Sequence, residues 1–169
     1  MKKSLRMLSP TFSTNRMLWE YTEKYYLPAA RHYTQLSEKN MQRARELTKW
    51  KGFVRQHWGG VRIERVQATR DGTFSVGDGY EITADVRLGP IDPKDVSVEV
   101  YYGTLDAERK ITHAHSLPMQ RKAAAGDGVH RYAGLIPCRH SGLQGYTVRV
   151  LPAHADINSP VSTGLITWR

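Results

Sequence analysis

Glycine is distributed so unevenly along this chain that it divides the fold before any other property is considered. Thirteen of the fourteen glycines follow Trp58, and only Gly52 precedes it. Glycine weakens helices and supplies tight turns, so the distribution predicts helix upstream and turn-connected strands downstream. Charge divides at the same place. Residues 1–58 hold twelve Lys+Arg against four Asp+Glu, and residues 59–169 hold thirteen against twelve. Nearly all of the net charge of +9 therefore belongs to the first third. The seam is expected at His57-Trp58-Gly59-Gly60, giving a helical segment over 1–58 and a β domain over 59–169.

In the first segment, Ser13-Thr14-Asn15 offers side-chain oxygens to cap a helix starting near Asn15. Met17, Leu18, Tyr21 and Tyr25 then recur at helical spacing, and Pro28 ends that helix or opens the next. A second run places Ala30, Tyr33, Leu36, Met41, Ala44, Leu47, Lys51 and Val54 on one drifting stripe. At about 1.5 Å per residue this long helix would reach roughly 40 Å, more than a small domain needs. Arg16 sits in the first turn of its helix, where the helix dipole disfavours a cation and no capping-box Glu follows. Its partner is expected outside this chain, unless the side chain simply reaches into solvent.

The second segment alternates. Val61–Val66, Ile82–Leu88 and Val96–Tyr102 place apolar residues at every second position, with Asp71-Gly72, Asp78-Gly79 and Asp127-Gly128 as turns between strands. Further strands are expected at Thr112–Met119, Val129–Pro137, Tyr146–Leu151 and Gly164–Trp168. About seven strands without helical periodicity suggest an antiparallel, immunoglobulin-like sandwich, with Tyr146 as a candidate tyrosine corner. The fold class is thus α+β by segregated segments: N-terminal helices, one of them long, followed by an all-β sandwich.

With 40% hydrophobic residues and 9% aromatics the chain has the means to build a core, and no apolar run is long enough to span a bilayer. The single cysteine, Cys138, cannot form an internal disulfide, and the N-terminus lacks the apolar stretch of a secretion signal. A reduced, cytoplasmic setting without membrane contact is expected.

No set of residues completes a reactive site. His113 and His115 share one face of an expected strand, and His130 or His140 is a conceivable third metal ligand, but no C-x-x-C or H-E-x-x-H pattern accompanies them. Cys138 and His140 lack an orienting third group, so an inert buried thiol is expected. Asp85, Glu99 and Asp106 fall on solvent faces or turns, a poor placement for paired-carboxylate chemistry. Gly77-Asp78-Gly79 and Gly126-Asp127-Gly128 are turns, not phosphate loops. The basic helices could attract phosphates, yet their interleaved Tyr, Leu and Trp suit docking on protein, and nucleic acid is a disfavoured partner. Tyr101, Tyr102 or Trp168, if exposed, would offer a sugar-stacking platform; strand alternation allows at most one of the two tyrosines into the core. No catalytic, cofactor-binding or metal residue is assigned.

Two stretches carry a resemblance. Residues 1–29, with Phe12, Ser13, Arg16, Met17, Glu20, Tyr21, Tyr26, Pro28 and Ala29, resemble the last helical part of the bacterial α-glucan (glycogen/maltodextrin) phosphorylases. Gly103 after Val-Tyr-Tyr, the Ser141–Pro152 stretch and the closing Gly-Leu-Ile-x-Trp168 are similar to the extra C-terminal domain of that family's short, non-regulatory branch. The resemblance implies a parent enzyme that phosphorolyses α-1,4-glucan to glucose 1-phosphate with pyridoxal phosphate on a lysine. It also implies that the cofactor lysine and catalytic loops lie before Met1, so the chain is a C-terminal fragment, by truncation or excision, with no cofactor of its own. Its implied partners are the parent's catalytic domains, and α-glucan is a candidate ligand of a non-catalytic binding module.

Overall fold

The structure, a computed structural model, describes residues 2–69, 75–126, 128–139 and 141–169. They fall into two compact units, Met1–Lys49 and Trp50–Arg169. Among the described residues no helix is long and apolar enough to cross a membrane.

The first unit is built of helices joined by short breaks. Helix α1 (Lys2–Thr11) lies within the segment 1–58 expected to be helical but ahead of the start near Asn15; Pro10 lies in its last turn, where it ends the helix instead of preventing it. Helix α2 (Thr14–Tyr21) is capped by Ser13, whose Oγ accepts from the amide of Arg16 at 3.2 Å. The Arg16 guanidinium donates to Glu20 one turn on, at 2.5 Å, and Lys24 reaches the other carboxylate oxygen at 3.4 Å. The partner expected outside the chain is thus supplied within it, and these cations hold the Glu20 carboxyl below its ordinary pKa. A wide π-helical turn, Thr22–Tyr26, leads into α3 (Leu27–His57). Pro28 falls in the first turn of α3, and the wider turn ahead of it accommodates a ring that an unbroken α-helix would meet with a carbonyl.

The long helix is present but interrupted. Glu38 is extended (φ −60°, ψ 153°), and Lys39, Asn40 and Met41 take left-handed φ values of 48°, 57° and 59°. Asn tolerates this region, whereas Lys and Met each give up roughly 1–2 kcal/mol there. The expected stripe is divided accordingly: Tyr33 and Met41 are exposed, and Leu47 and Val54 are buried. Leu47 is the one buried side chain among the described residues of the first unit.

The second unit opens with the last turns of α3, where Val54 is buried, and a 3-10 turn at Trp58–Gly60 that sets Trp58 into the core. Among the described residues eight antiparallel strands follow: β1 (Arg62–Ala68), β2 (Gly79–Arg87), β3 (Val96–Leu105), β4 (Ile111–Pro118), β5 (Gln120–Gly126), β6 (Val129–Pro137), β7 (Gln144–Pro152) and β8 (Thr167–Trp168). One sheet runs β1-β2-β6-β5 and the other β4-β3-β7-β8. Alternation does the sorting: Ile82, Ala84 and Val86 of the first sheet and Val98, Val100, Val148 and Val150 of the second share one core with Trp58 and Leu88. Each fully buried valine or isoleucine contributes about 1.5–3 kcal/mol relative to exposure, an upper estimate.

Strand β5 was not legible in the sequence. Its Lys-Ala-Ala-Ala run has weak strand propensity, and no turn signal separates it from β4. The chain changes sheets across the single residue Met119, which is buried and donates its amide to the Val98 carbonyl at 2.8 Å. The Asp71-Gly72 turn signal and Asp127 lie outside the described residues. Gly126 and Gly128 flank the latter with φ of 90° and 72°, the left-handed geometry a tight hairpin requires. Near the C-terminus, strand pairing is confined to Thr167–Trp168; Pro160–Thr163 forms a 3-10 turn ended by Gly164 at φ 70°.

Candidate functional site

Among the described residues, the groups weighed from sequence for metal and carboxylate chemistry are not brought together. His113 and His115 do not repeat along a regular strand face. Between the pairs Tyr102↔His115 and Thr104↔Thr112, β4 has two intervening residues against one on β3, and His113 takes φ 47° at this bulge. His130 lies on β6 of the opposite sheet beside its register partner Val86, and burial lowers its pKa. His140 lies outside the described residues. Among those described, no three His, Cys, Asp or Glu residues are grouped to hold a metal ion. Cys138 is half-buried, not fully buried, a consequence of its position just past the end of β6, where its backbone pairs with Gly77 and Asp78.

The carboxylates are held on different surfaces. Asp85 on β2 accepts a bidentate pair from its cross-strand neighbour Arg131, at 2.7 and 2.8 Å, which holds the Asp85 pKa below its ordinary value. Glu99 on β3 pairs across the other sheet with Arg149 of β7, whose Nε and Nη2 both donate to the single oxygen Oε2, and Asp106 caps a turn by accepting the Lys110 amide at 2.8 Å. Asp85 and Glu99 alternate with core residues of their respective sheets, so they face outward on opposite sides of the core and cannot act on one substrate.

The outward face of the second sheet does assemble a distinctive cluster. Register places Ser116, Tyr101 and Thr147 in one row across β4, β3 and β7, and Glu99, Arg149 and Trp168 in the next across β3, β7 and β8. The rings of Tyr101 and Trp168 meet edge to face with centroids 5.4 Å apart. The Arg149 guanidinium lies 5.2 Å from the first centroid and 5.5 Å from the second. It is fixed there by Glu99 Oε2 at 2.7 and 2.9 Å and by Ser116 Oγ at 2.7 Å. Trp168 remains 44% exposed. Tyr102 packs on the core side, as alternation requires, near His115. Tyr146 also packs on the core, its ring edge-on to Tyr80 at 5.6 Å.

Of the three aromatics the sequence offers as exposed, Trp168 is exposed and Tyr101 and Tyr102 are half-buried, and the sequence gives no sign of Arg149 and Ser116 beside Tyr101 and Trp168. The usable signal was parity: 99 and 101 share a face, as do 147 and 149. Only the cross-strand register joins the two sets.

Comparison with known proteins gives a consistent result. Residues 58–169 match the family model of the glycogen phosphorylase C-terminal domain. The whole chain is 32% identical to the maltodextrin phosphorylase of Thermococcus litoralis, covering 20% of that protein. It is 30% identical over 98% of its length to the glycogen phosphorylase of Mycobacterium tuberculosis, covering 19% of it, and 29% identical to that of Mycobacterium bovis. The chain therefore spans about a fifth of the length of these relatives. With both of its sheets inside the family match, the chain belongs to the glycogen phosphorylase C-terminal domain family.

Proposed function

We propose that the chain is the C-terminal fragment of an α-1,4-glucan phosphorylase, with a structural and interaction role and no catalysis of its own. The parent reaction would be phosphorolysis of α-1,4-glucan to glucose 1-phosphate, carried out on polypeptide outside this chain. The observation that carries this reading is the helical unit's lack of an interior. Phe12, Trp19, Tyr26 and Tyr33 are 61–76% exposed, while Leu47 alone is buried among the unit's described side chains. Helices of this length gain most of their stability by packing an apolar face, and aromatics left in water over several turns call for a protein partner. The parent's catalytic domains are that partner, with residues 1–58 closing the catalytic region and 59–169 forming an appended sandwich of immunoglobulin type. The two strand orders, and the sheet changes between β2 and β3, β4 and β5, and β6 and β7, support the sandwich assignment.

The cofactor of the parent reaction does not fit here. Every lysine of this chain is exposed, whereas a Schiff-base lysine works in an enclosed, desolvated pocket. A cytoplasmic location is supported by a lone, unbridged cysteine.

Sedimentation velocity tests the interface. The isolated chain is expected to self-associate with increasing concentration, and replacing Phe12, Trp19, Tyr26 and Tyr33 together with serine is expected to abolish this. A wild-type chain that stays monomeric at high concentration would count against an unmet partner.

A further inference from the structure

We infer that the outward face of the β1-β2-β6-β5 sheet carries a binding site for a small organic phosphate, built on Arg62, Arg65, Arg87 and Arg131. The inference rests on this face alone and does not need the family reading.

A β-bulge creates the site. Between the pairs Ile63↔Val86 and Arg65↔Asp85, β1 has one residue more than β2, and the extra residue is Glu64. Strict alternation would send Arg65 to the core side with Ile63; the bulge instead leaves Arg62, Glu64 and Arg65 all exposed while Ile63 is buried. Register then sets Arg62 opposite Arg87, and Arg65, Asp85 and Arg131 in one row across β1, β2 and β6. Glu64, Arg65, Asp85, Arg87, Val129 and Arg131 line an open depression of about 530 Å3, a volume typical of small-molecule sites.

The charges around this depression are not balanced. Each carboxylate already serves one arginine, Asp85 accepting from Arg131 and Glu64 from Arg87. Arg62 and Arg65 make no hydrogen bond or ion pair with a described residue, so two positive charges are left over. Like charges directly opposite each other, as Arg62 and Arg87 are, weaken strand pairing, and an anion seated between them would relieve that cost. The Asp85 side chain is 16% exposed beneath an Arg131 side chain that is 50% exposed, so the guanidinium and not the carboxylate meets an approaching ligand. Arg131 donates to Asp85 through Nε and Nη2 and keeps Nη1 for that ligand.

A phosphate monoester carries about −1.5 to −2 charges near neutral pH and offers three acceptor oxygens, which matches both the surplus and the forked donors of arginine. A carboxylate would bring one charge and two oxygens. The depression is much larger than a phosphate group, which leaves room for an organic body, and Val129 is the one apolar side chain lining it among the described residues, which favours a polar body.

Isothermal titration calorimetry of the 169-residue chain with glycerol 3-phosphate, inorganic phosphate and acetate as separate probes tests this. Saturable binding of glycerol 3-phosphate is expected, with weaker binding of inorganic phosphate and none of acetate. Arg65→Gln should weaken binding by roughly tenfold or more, the worth of a charged hydrogen bond. Arg65→Lys, which keeps the charge and loses the fork, should recover part of that loss. Neither change removes an ion pair of the fold, and circular dichroism of each variant checks that the fold is kept. Arg45→Gln deletes the same charge from an exposed arginine of the helical unit and should leave the affinity unchanged. A folded wild-type chain that binds no glycerol 3-phosphate overturns the site, as does undiminished affinity in Arg65→Gln. An equal loss in Arg45→Gln also overturns it, by reducing the effect to the general attraction of a basic chain. Inorganic phosphate or acetate binding as tightly as glycerol 3-phosphate overturns the ligand class.

Discussion

Replacing Gly103 by alanine should destabilise the β unit far more than the same change at Gly145, although an added Cβ meets its nearest atom at 2.5 Å in both places. The difference lies in what stands there. At Gly103 the nearest atom is the backbone oxygen of Thr112, followed by Ile111 Cγ2 at 3.0 Å and the Ala114 Cα at 3.2 Å. That backbone belongs to the β4 bulge and cannot withdraw without breaking the hydrogen bonds that tie Thr104 to Thr112, with the hydroxyls 3.0 Å apart and Thr112 Oγ1 donating to the Thr104 carbonyl at 3.1 Å. At Gly145 the obstruction is the half-buried side chain of Leu105, which can rotate aside. Overpacking against fixed atoms costs about 1–3 kcal/mol. With an unfolding entropy of about 2.1 cal/mol/K per residue over the residues of the second unit, 50–169, that corresponds to a Tm lowered by roughly 4–12 °C, against less than about 4 °C for Gly145→Ala. Thermal unfolding followed by circular dichroism measures both. Equal losses, or a larger loss at Gly145, would refute the claim that the bulge is what demands glycine after Tyr101-Tyr102.

Val150→Ala, at a fully buried core position, should cost about 2–3 kcal/mol in urea titrations, with an unchanged denaturant slope if the unfolded state is unaffected. His130 has its pKa lowered by burial, so its contribution is intact above the unfolded value of about 6.5 and is lost as pH falls through that value toward the folded one. Stability measured from pH 7.5 down to 5 should therefore decline, and His130→Leu should flatten that decline; an identical slope in the variant contradicts the assignment. The depressed Asp85 pKa places its contribution above about pH 3.9, with loss below it, so Asp85→Asn should weaken the chain at neutral pH and reduce its sensitivity to acid beneath pH 4.

The strands were legible because burial on one face imposes a period of two. Val96, Val98 and Val100 announce β3 without any knowledge of their neighbours. What alternation does not encode is register, and the aromatic–arginine cluster exists only through register: nothing in Arg149 alone indicates that it sits between Glu99 and Trp168. Strand β5 was hidden for a related reason, since its alanines obtain their strand conformation from pairing with β6 and not from their own propensity. The α3 interruption was hidden in the opposite way. The stripe from Ala30 to Val54 looked continuous because an apolar residue recurs near each turn, yet the polar Ser37-Glu38-Lys39-Asn40 step gives the helix no packing to hold it together. Arg16 was misread because a cation in a first helical turn suggests an absent partner, and the i,i+4 glutamate lay one turn ahead.

The central claim is that these residues contribute surface to a phosphorylase and perform none of its chemistry alone. Incubating the purified 169-residue chain with inorganic phosphate, maltodextrin and added pyridoxal phosphate, and measuring glucose 1-phosphate, tests it most directly. Release no greater than in the protein-free control is predicted; turnover that rises in proportion to the concentration of this chain would contradict it.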